Sequence, residues 1–271
     1  MITTAFGLAL LSLVVVLGAV MQYFSTIPRG KVPVKPIGLV TFLSVGAALA
    51  VIAIARSFSG SAWSVVAVGI PSALALLTAL GIFWLLSQRK TPIGDLKVKP
   101  GDKLLPFEAT TSEGIPFHTD ELAGKRTLFK FFRGGWCPYC SAELEAFNAM
   151  LPALEEYGVR VVALSKDSVE EAAIHKDRDQ LSLTLLSDPK LDVIRQYGVE
   201  HHKALGGTTG SSKKFGIPLA APTGFSAMAI PTSLLIDENG VIQWIDQSED
   251  YRLRSSDDLV LEAVNNAFTS A

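Results

Sequence analysis

Three stretches of the chain, residues 2–24, 37–55 and 63–86, contain no charged side chain. A helix rises about 1.5 Å per residue and needs about 20 apolar residues to cross a hydrocarbon core, so each stretch predicts a membrane-spanning helix. The first lacks the basic leader and the short apolar core of a cleaved signal peptide. Further along, the hydrophobic period shortens. "TLFKFF" (127–132) and "VRVVALS" (159–165) are short β-branched or aromatic runs, as expected of buried strands. Between them Leu144, Phe147, Leu151 and Leu154 recur at helical spacing, which predicts an amphipathic helix over 138–157 that Pro152 kinks or divides. "SVEEAAIHKDRDQ" (168–180) opens with a capping serine and an acidic first turn and predicts a second helix. "LTLLSD", a short helical "KLDVIRQYG", an irregular stretch over 201–229, the pair "TSLLID" and "VIQWID" around "ENG", and a helix over about 255–268 complete the pattern.

Alternating strands and helices with a final hairpin predict an α/β domain in three layers, a mixed sheet covered by helices on both faces. The expected organisation is a three-helix membrane anchor over 1–87, a Pro- and Gly-bearing linker over 88–103, and the α/β domain over 104–271.

Charge sharpens this division. The first 90 residues carry six basic and no acidic side chains, whereas all 26 acidic residues fall after position 94. Arg29, Lys31 and Lys35 follow the first apolar run, and Arg89, Lys90, Lys97 and Lys99 follow the third, while Arg56 stands alone after the second. Positive loops stay on the cytoplasmic side, so the expected topology has the N-terminus outside and residues 87–271 in the cytoplasm of an inner or plasma membrane, the extracytoplasmic placement being the alternative. The acidic soluble part excludes nucleic acid as a partner on charge grounds. The apolar helices carry no His, Cys, Asp or Glu for haem ligation or proton relay, which favours an anchor over a transporter.

Both cysteines of the chain lie in "FFRGGWCPYCSAELEAFN" (131–148). Zinc needs about four ligands in paired clusters, and the adjacent His201 and His202 lack that spacing. A disulfide closing so short a loop constrains the unfolded chain little and does not persist in a cytosol. A redox dithiol remains. Cys137 falls at the helix N-cap, where the macrodipole favours a thiolate; Lys130 and Arg133 add positive potential; Cys140 follows one turn later as the resolving partner. His118, His175, His201 and His202 read as surface or satisfied polar groups, and 201–229 as a lid or a surface insertion.

"WCPYC" after a strand, with "AIPTSLLIDENGVI" further on, resembles the thioredoxin fold. "KPGDKLLPFEATTSEG", "VVALSKDSVEEAAIHKDRDQLSLTLLSDPKLDVIRQYGV" and "DYRLRS" resemble more closely the alkyl hydroperoxide reductase and thiol-specific antioxidant group, the peroxiredoxins, over about residues 98–268. The resemblance implies a thioredoxin-like, peroxiredoxin-like domain in which Cys137 is the peroxidatic cysteine, Cys140 the resolving cysteine and Pro231 a cis-proline. It departs from the usual pattern where Lys130 and Gly134 replace a proline and a threonine, and where Pro231 and Thr232 occupy the place of an arginine. Arg133, Arg252 and Arg254 are the candidates for the missing peroxide-polarising donor.

Three functions follow. The first is a membrane-anchored antioxidant oxidoreductase that reduces hydroperoxides through Cys137 and Cys140, without cofactor or metal, and is recycled by a soluble thiol reductant of thioredoxin, glutaredoxin or glutathione type. The second is thiol-disulfide exchange by the same dithiol. The third is a non-enzymatic membrane-tethered redox sensor.

Overall fold

The computed structural model describes residues 2–59, 61–93 and 95–269, and the chain divides into two compact units at Arg89/Lys90. In the first unit, helices α1 (Ile2–Phe24), α2 (Ile37–Ser57) and α3 (Ala62–Ser87) pack side by side. All three are long and apolar enough to cross a membrane. Their burial is inverted relative to a water-soluble bundle. Val14, Met21, Leu77 and Leu80 face outwards, whereas the interior is lined by Ala5, Ala9, Ser12, Gly46, Ala50, Ala75 and Ala79. Small residues let helix backbones approach where lipid tails remove the hydrophobic drive for association. A Cβ on Gly46 would lie 2.4 Å from Val16 Cγ2. Serines in these helices return their hydroxyls to their own backbone, Ser12 to Ala9 and Ser64 to Ser61. Pro71 lies inside α3 without ending it.

The second unit is built on a seven-stranded mixed sheet. Its strands are β1 (Glu108–Thr111), β2 (Pro116–His118), β3 (Arg126–Phe131), β4 (Val159–Ser165), β5 (Thr184–Ser187), β10 (Thr232–Ile236) and β11 (Ile242–Gln247), in the order β11-β10-β3-β4-β5-β1-β2. The pairs β3–β4 and β4–β5 are parallel and the others antiparallel. Side-chain alternation on β3 sends Phe129 and Phe131 into one core with Phe107, Val162, Leu234 and Tyr197. Leu128 joins the other core with Leu144, Phe147, Val161, Val260 and Val264. Helices α4 (Pro138–Glu155) and α7 (Asp257–Phe268) cover that second face, and α6 (Asp192–Gln196) contributes Val193 and Ile194 to the first. The remaining helix, α5 (Val169–Asp179), starts from the capping box of Ser168 and Glu171.

Helix α4 continues through Pro152 undivided and ends three residues later. Two segments differ from expectation. Residues 90–93 and 95–103 pack into the second unit, where a short linker over 88–103 is expected: Thr91 N donates to Glu249 O at 3.0 Å and Lys97 N to Tyr197 O at 3.0 Å. The stretch expected to be irregular holds the antiparallel pair β6 (Glu200–Gly207) and β9 (Pro222–Ala229), with a small tip pair β7 (Lys213–Lys214) and β8 (Ile217–Pro218). Its strands, EHHKALGG and PTGFSAMA, mix glycine, small and polar residues with few large apolar ones, so they lack the apolar alternation that marks a strand in sequence.

Candidate active site

Strand β3 runs out at Phe131, and residues 132–136 turn the chain into α4, whose N-cap is Cys137 and whose first residue is Pro138. Two close approaches shape this turn. Gly134 has φ +147°, and a Cβ there would lie 2.6 Å from Asp167 Oδ1; a Cβ on Gly135 would lie 2.6 Å from His175 Cγ. Gly135 N donates to Asp167 Oδ2 at 2.7 Å. On its other side Arg178 Nη2 donates to Gly135 O and to Ser141 Oγ, both at 2.8 Å. The turn that presents the dithiol is thus gripped by α5 and by the loop after β4.

Cys137 and Cys140 are both free thiols, 1% and 0% exposed. This burial reverses the expectation for Cys137. Removal from water, followed by the neighbouring Cys140 sulfur, pushes its pKa well above the ordinary thiol value, more than Arg133 and Arg254 pull it down. For Cys140, burial also opposes ionisation, but a hydrogen bond from Cys137 and the Arg254 guanidinium outweigh it and bring the pKa to about 5. Burial thus works against ionisation of Cys137, while the Arg254 guanidinium favours it at Cys140.

The source of that asymmetry lies below Cys140. Arg254 Nη2 donates to Cys140 Sγ at 3.2 Å, and Arg254 Nε to Glu143 Oε2 at 2.6 Å. Lys130 Nζ reaches Glu143 Oε1 at 2.7 Å and Ser233 Oγ at 3.0 Å. Lys130 is hence spent on a carboxylate and does not face Cys137 as a free charge. Strand alternation turns it to the α4 face, and Glu143 stands one turn beyond Cys140.

The other expected residues divide. Arg133 is buried, its ring-facing guanidinium 5.1 Å from the Trp136 centroid and 4.1 Å from that of Tyr251, with Nη2 donating to Leu205 O at 2.8 Å and Nε to Met228 Sδ at 3.1 Å. Arg252 is tied to Asp250 rather than to sulfur. Pro231 is buried at the start of β10 and its carbonyl accepts from Ser248 N at 2.9 Å. The expectation of a cis bond before it is corrected: among the described residues every peptide is trans. His175, expected at the surface or satisfied, is fully buried against Phe132, with Nε2 3.1 Å from Asp179 Oδ2. Its i,i+4 spacing from Asp179 was the available signal; Arg178 and Asp167 carried none. His118 and His202 are exposed, and His201 is held down to about 4 by burial, Arg133 and His202.

The hairpin β6–β9 closes the site from outside. A Cβ on Gly207 would lie 3.1 Å from Trp136 Cε3; Arg178 Nη1 donates to Gly210 O at 2.9 Å; Lys213 Nζ approaches Asp179 Oδ1 at 2.9 Å. No group of three or more His, Cys, Asp or Glu side chains among the described residues converges as a metal site.

Residues 100–245 match the AhpC/TSA family. A putative peroxiredoxin bcp of Coxiella burnetii is 34% identical over 148 residues, 54% of this chain and 87% of the relative. Peroxiredoxin Bcp of Escherichia coli K12 is 28% identical over 112 residues, 41% and 72% of the two chains. The thiol-disulfide oxidoreductase ResA of Bacillus thuringiensis is 30% identical over 152 residues, 55% and 70%. Among solved structures, peroxidoxin BcpB from Mycobacterium tuberculosis is similar at a TM-score of 0.49 and 20% identity, over 62% of this chain and 97% of that one. With its thioredoxin-like mixed sheet, the chain belongs to the AhpC/TSA family and is an oxidoreductase of the peroxiredoxin kind.

Proposed function

We propose that this protein is a membrane-anchored thiol peroxidase whose Cys137/Cys140 dithiol reduces hydroperoxides. The observation that carries the reading is the placement of two free thiols on one helical turn, with a guanidinium bonded to one of the two sulfurs. A thiolate displaces alkoxide or hydroxide from the peroxide O–O bond and becomes a sulfenic acid. The second thiol then displaces water from it and leaves a Cys137–Cys140 disulfide, which an external thiol of thioredoxin, glutaredoxin or glutathione type reopens by exchange. Burial of both sulfurs suits a small oxidant better than a folded protein disulfide.

The length and apolarity of the three helices support the anchor, and the distribution of Lys and Arg favours a cytoplasmic second unit. Reporter fusions at the C-terminus test this: an enzyme reporter active only outside the cytoplasm should stay silent.

The activity test uses the full chain in detergent micelles, reduced and mixed rapidly with hydrogen peroxide while tryptophan fluorescence is followed. Trp136 adjoins Cys137, so oxidation is expected to change its emission. Oxidation much faster than that of an ordinary thiol supports the peroxidase. Slow oxidation with fast exchange against a model disulfide would instead favour thiol-disulfide exchange, the reading to which the similarity to ResA lends weight. Slow reaction with both, at a well-defined redox midpoint, would leave the sensor.

A further inference from the structure

We infer that the order of the two cysteines is the reverse of the one their sequence suggests: Cys140 is the attacking sulfur and Cys137 the resolving one. This rests on the dithiol reading above and deepens it. The N-cap position alone would select Cys137, since four backbone N–H groups and the positive end of α4 lie beside it. Exposure does not discriminate, because both sulfurs are buried. What discriminates is direct bonding. Among the described residues Arg254 is the one guanidinium that hydrogen-bonds a cysteine sulfur, and the sulfur is that of Cys140. Arg133, on the Cys137 side, spends its Nε and Nη2 on Met228 and Leu205.

Charge balance points the same way. The side chains of Lys130, Glu143 and Arg254 are 0%, 3% and 11% exposed and joined in one chain of bonds. Two cations share a single carboxylate there, so the interior carries an excess positive charge, which is expensive away from water unless an anion meets it. A thiolate on Cys140 is that anion. Arg254 cannot swing aside easily, because Nε is held by Glu143 and Nη1 by the carbonyls of Tyr251 and Leu253 at 2.7 and 2.6 Å. Its Nη2 is left aimed at sulfur. In the reaction, the Cys140 sulfur forms a bond to the terminal peroxide oxygen as the O–O bond breaks, and the departing alkoxide takes a proton from water. The Cys137 thiol then attacks the Cys140 sulfenic acid, its proton and the hydroxyl leave as water, and an external thiol supplies the two electrons that restore the pair.

The test compares Cys137→Ser and Cys140→Ser in the full chain in micelles. Each is reduced, treated with one equivalent of hydrogen peroxide in the presence of dimedone, and mapped by peptide mass. Cys137→Ser should lose turnover yet take one dimedone adduct at Cys140, while Cys140→Ser should react ~100-fold more slowly, a loss of the size seen when a stabilising donor is removed. The same two variants are also mixed with 2,2′-dithiodipyridine. Here too the protein retaining Cys140 should react faster, and Arg254→Gln in the Cys137→Ser background should remove most of the difference. Faster reaction of the variant retaining Cys137 with both reagents overturns the assignment. If peroxide is ignored by the wild type but the disulfide reagent still prefers Cys140, the order stands and the peroxidase reading falls.

Discussion

Arg178 Nη2 donates to the carbonyl of Gly135 at 2.8 Å, so a side chain on α5 holds the turn that precedes the dithiol. The same guanidinium pairs with Asp179 at 2.7 Å and reaches Gly210 O in the covering hairpin. Its side chain is 3% exposed and that of Asp179 is 0% exposed. Removing one partner of such a pair leaves an uncompensated interior charge, although Lys213 still faces Asp179. Arg178→Ala should therefore cost roughly 3 kcal/mol and slow dithiol oxidation. Urea unfolding followed by near-ultraviolet circular dichroism measures the first, and Arg178→Lys should rescue it only partly because an ammonium cannot reproduce the fork.

The packing of Gly135 against His175 yields a second expectation. A Cβ would lie 2.6 Å from Cγ and 2.7 Å from Cβ of a fully buried ring that has nowhere to move. Gly135→Ala should destabilise by about 1–3 kcal/mol. Gly114→Ala is a useful comparison, since no atom would meet its Cβ and only its φ of +80° opposes the change. A loss below about 0.5 kcal/mol in Gly135→Ala, read from the urea midpoint, would show that the His175 contact carries no cost.

Asp167 sets a pH dependence. Burial raises its pKa from 3.8 to about 6, against the lowering effects of Gly135 N–H and His175. A carboxyl whose proton is held more tightly in the folded chain contributes stability below pH ~4 and loses it as pH rises through about 6. At about 1.4 kcal/mol per tenfold change in proton affinity the loss is roughly 3 kcal/mol. Asp167→Asn, which keeps an oxygen for Gly135 N–H, should remove that fall, so wild type and variant should diverge between pH 4 and 7 in favour of the variant. Asp188, also raised to about 6 by burial, contributes a similar slope that remains in both proteins. Parallel stability curves would rule the assignment out.

In the first unit, Gly46 allows α2 to approach Val16 and the Ser12 carbonyl, which a Cβ would meet at 2.4 and 3.2 Å. Gly46→Leu should weaken the bundle, by about 1–3 kcal/mol, through overpacking. Gly18→Leu, where nothing lies within 4 Å, should be close to neutral. Detergent-induced unfolding of the two variants gives the comparison.

Much of this protein is local in origin. The three long apolar helices are legible because each is a charge-free run of about 20 residues or more, and β3, α4, β4 and α5 because apolar period and capping residues depend on near neighbours. The dithiol at a strand-to-helix turn follows from the same local signals. The β6–β9 pair escaped because its strands carry few large apolar residues and no regular alternation of them, and so leave no periodic trace.

What tertiary structure alone decided is the electrostatic identity of each sulfur. Helix position and nearby Arg133 and Lys130 pointed to Cys137, yet Lys130 is consumed by Glu143, and the arginine that bonds sulfur comes from 114 residues further along the chain. Burial of both thiols raises the cost of any charge that lacks a direct partner. Short-range pattern set where the cysteines sit; the balance between desolvation and long-range pairing, which has no sequence period, selected Cys140 to carry the charge.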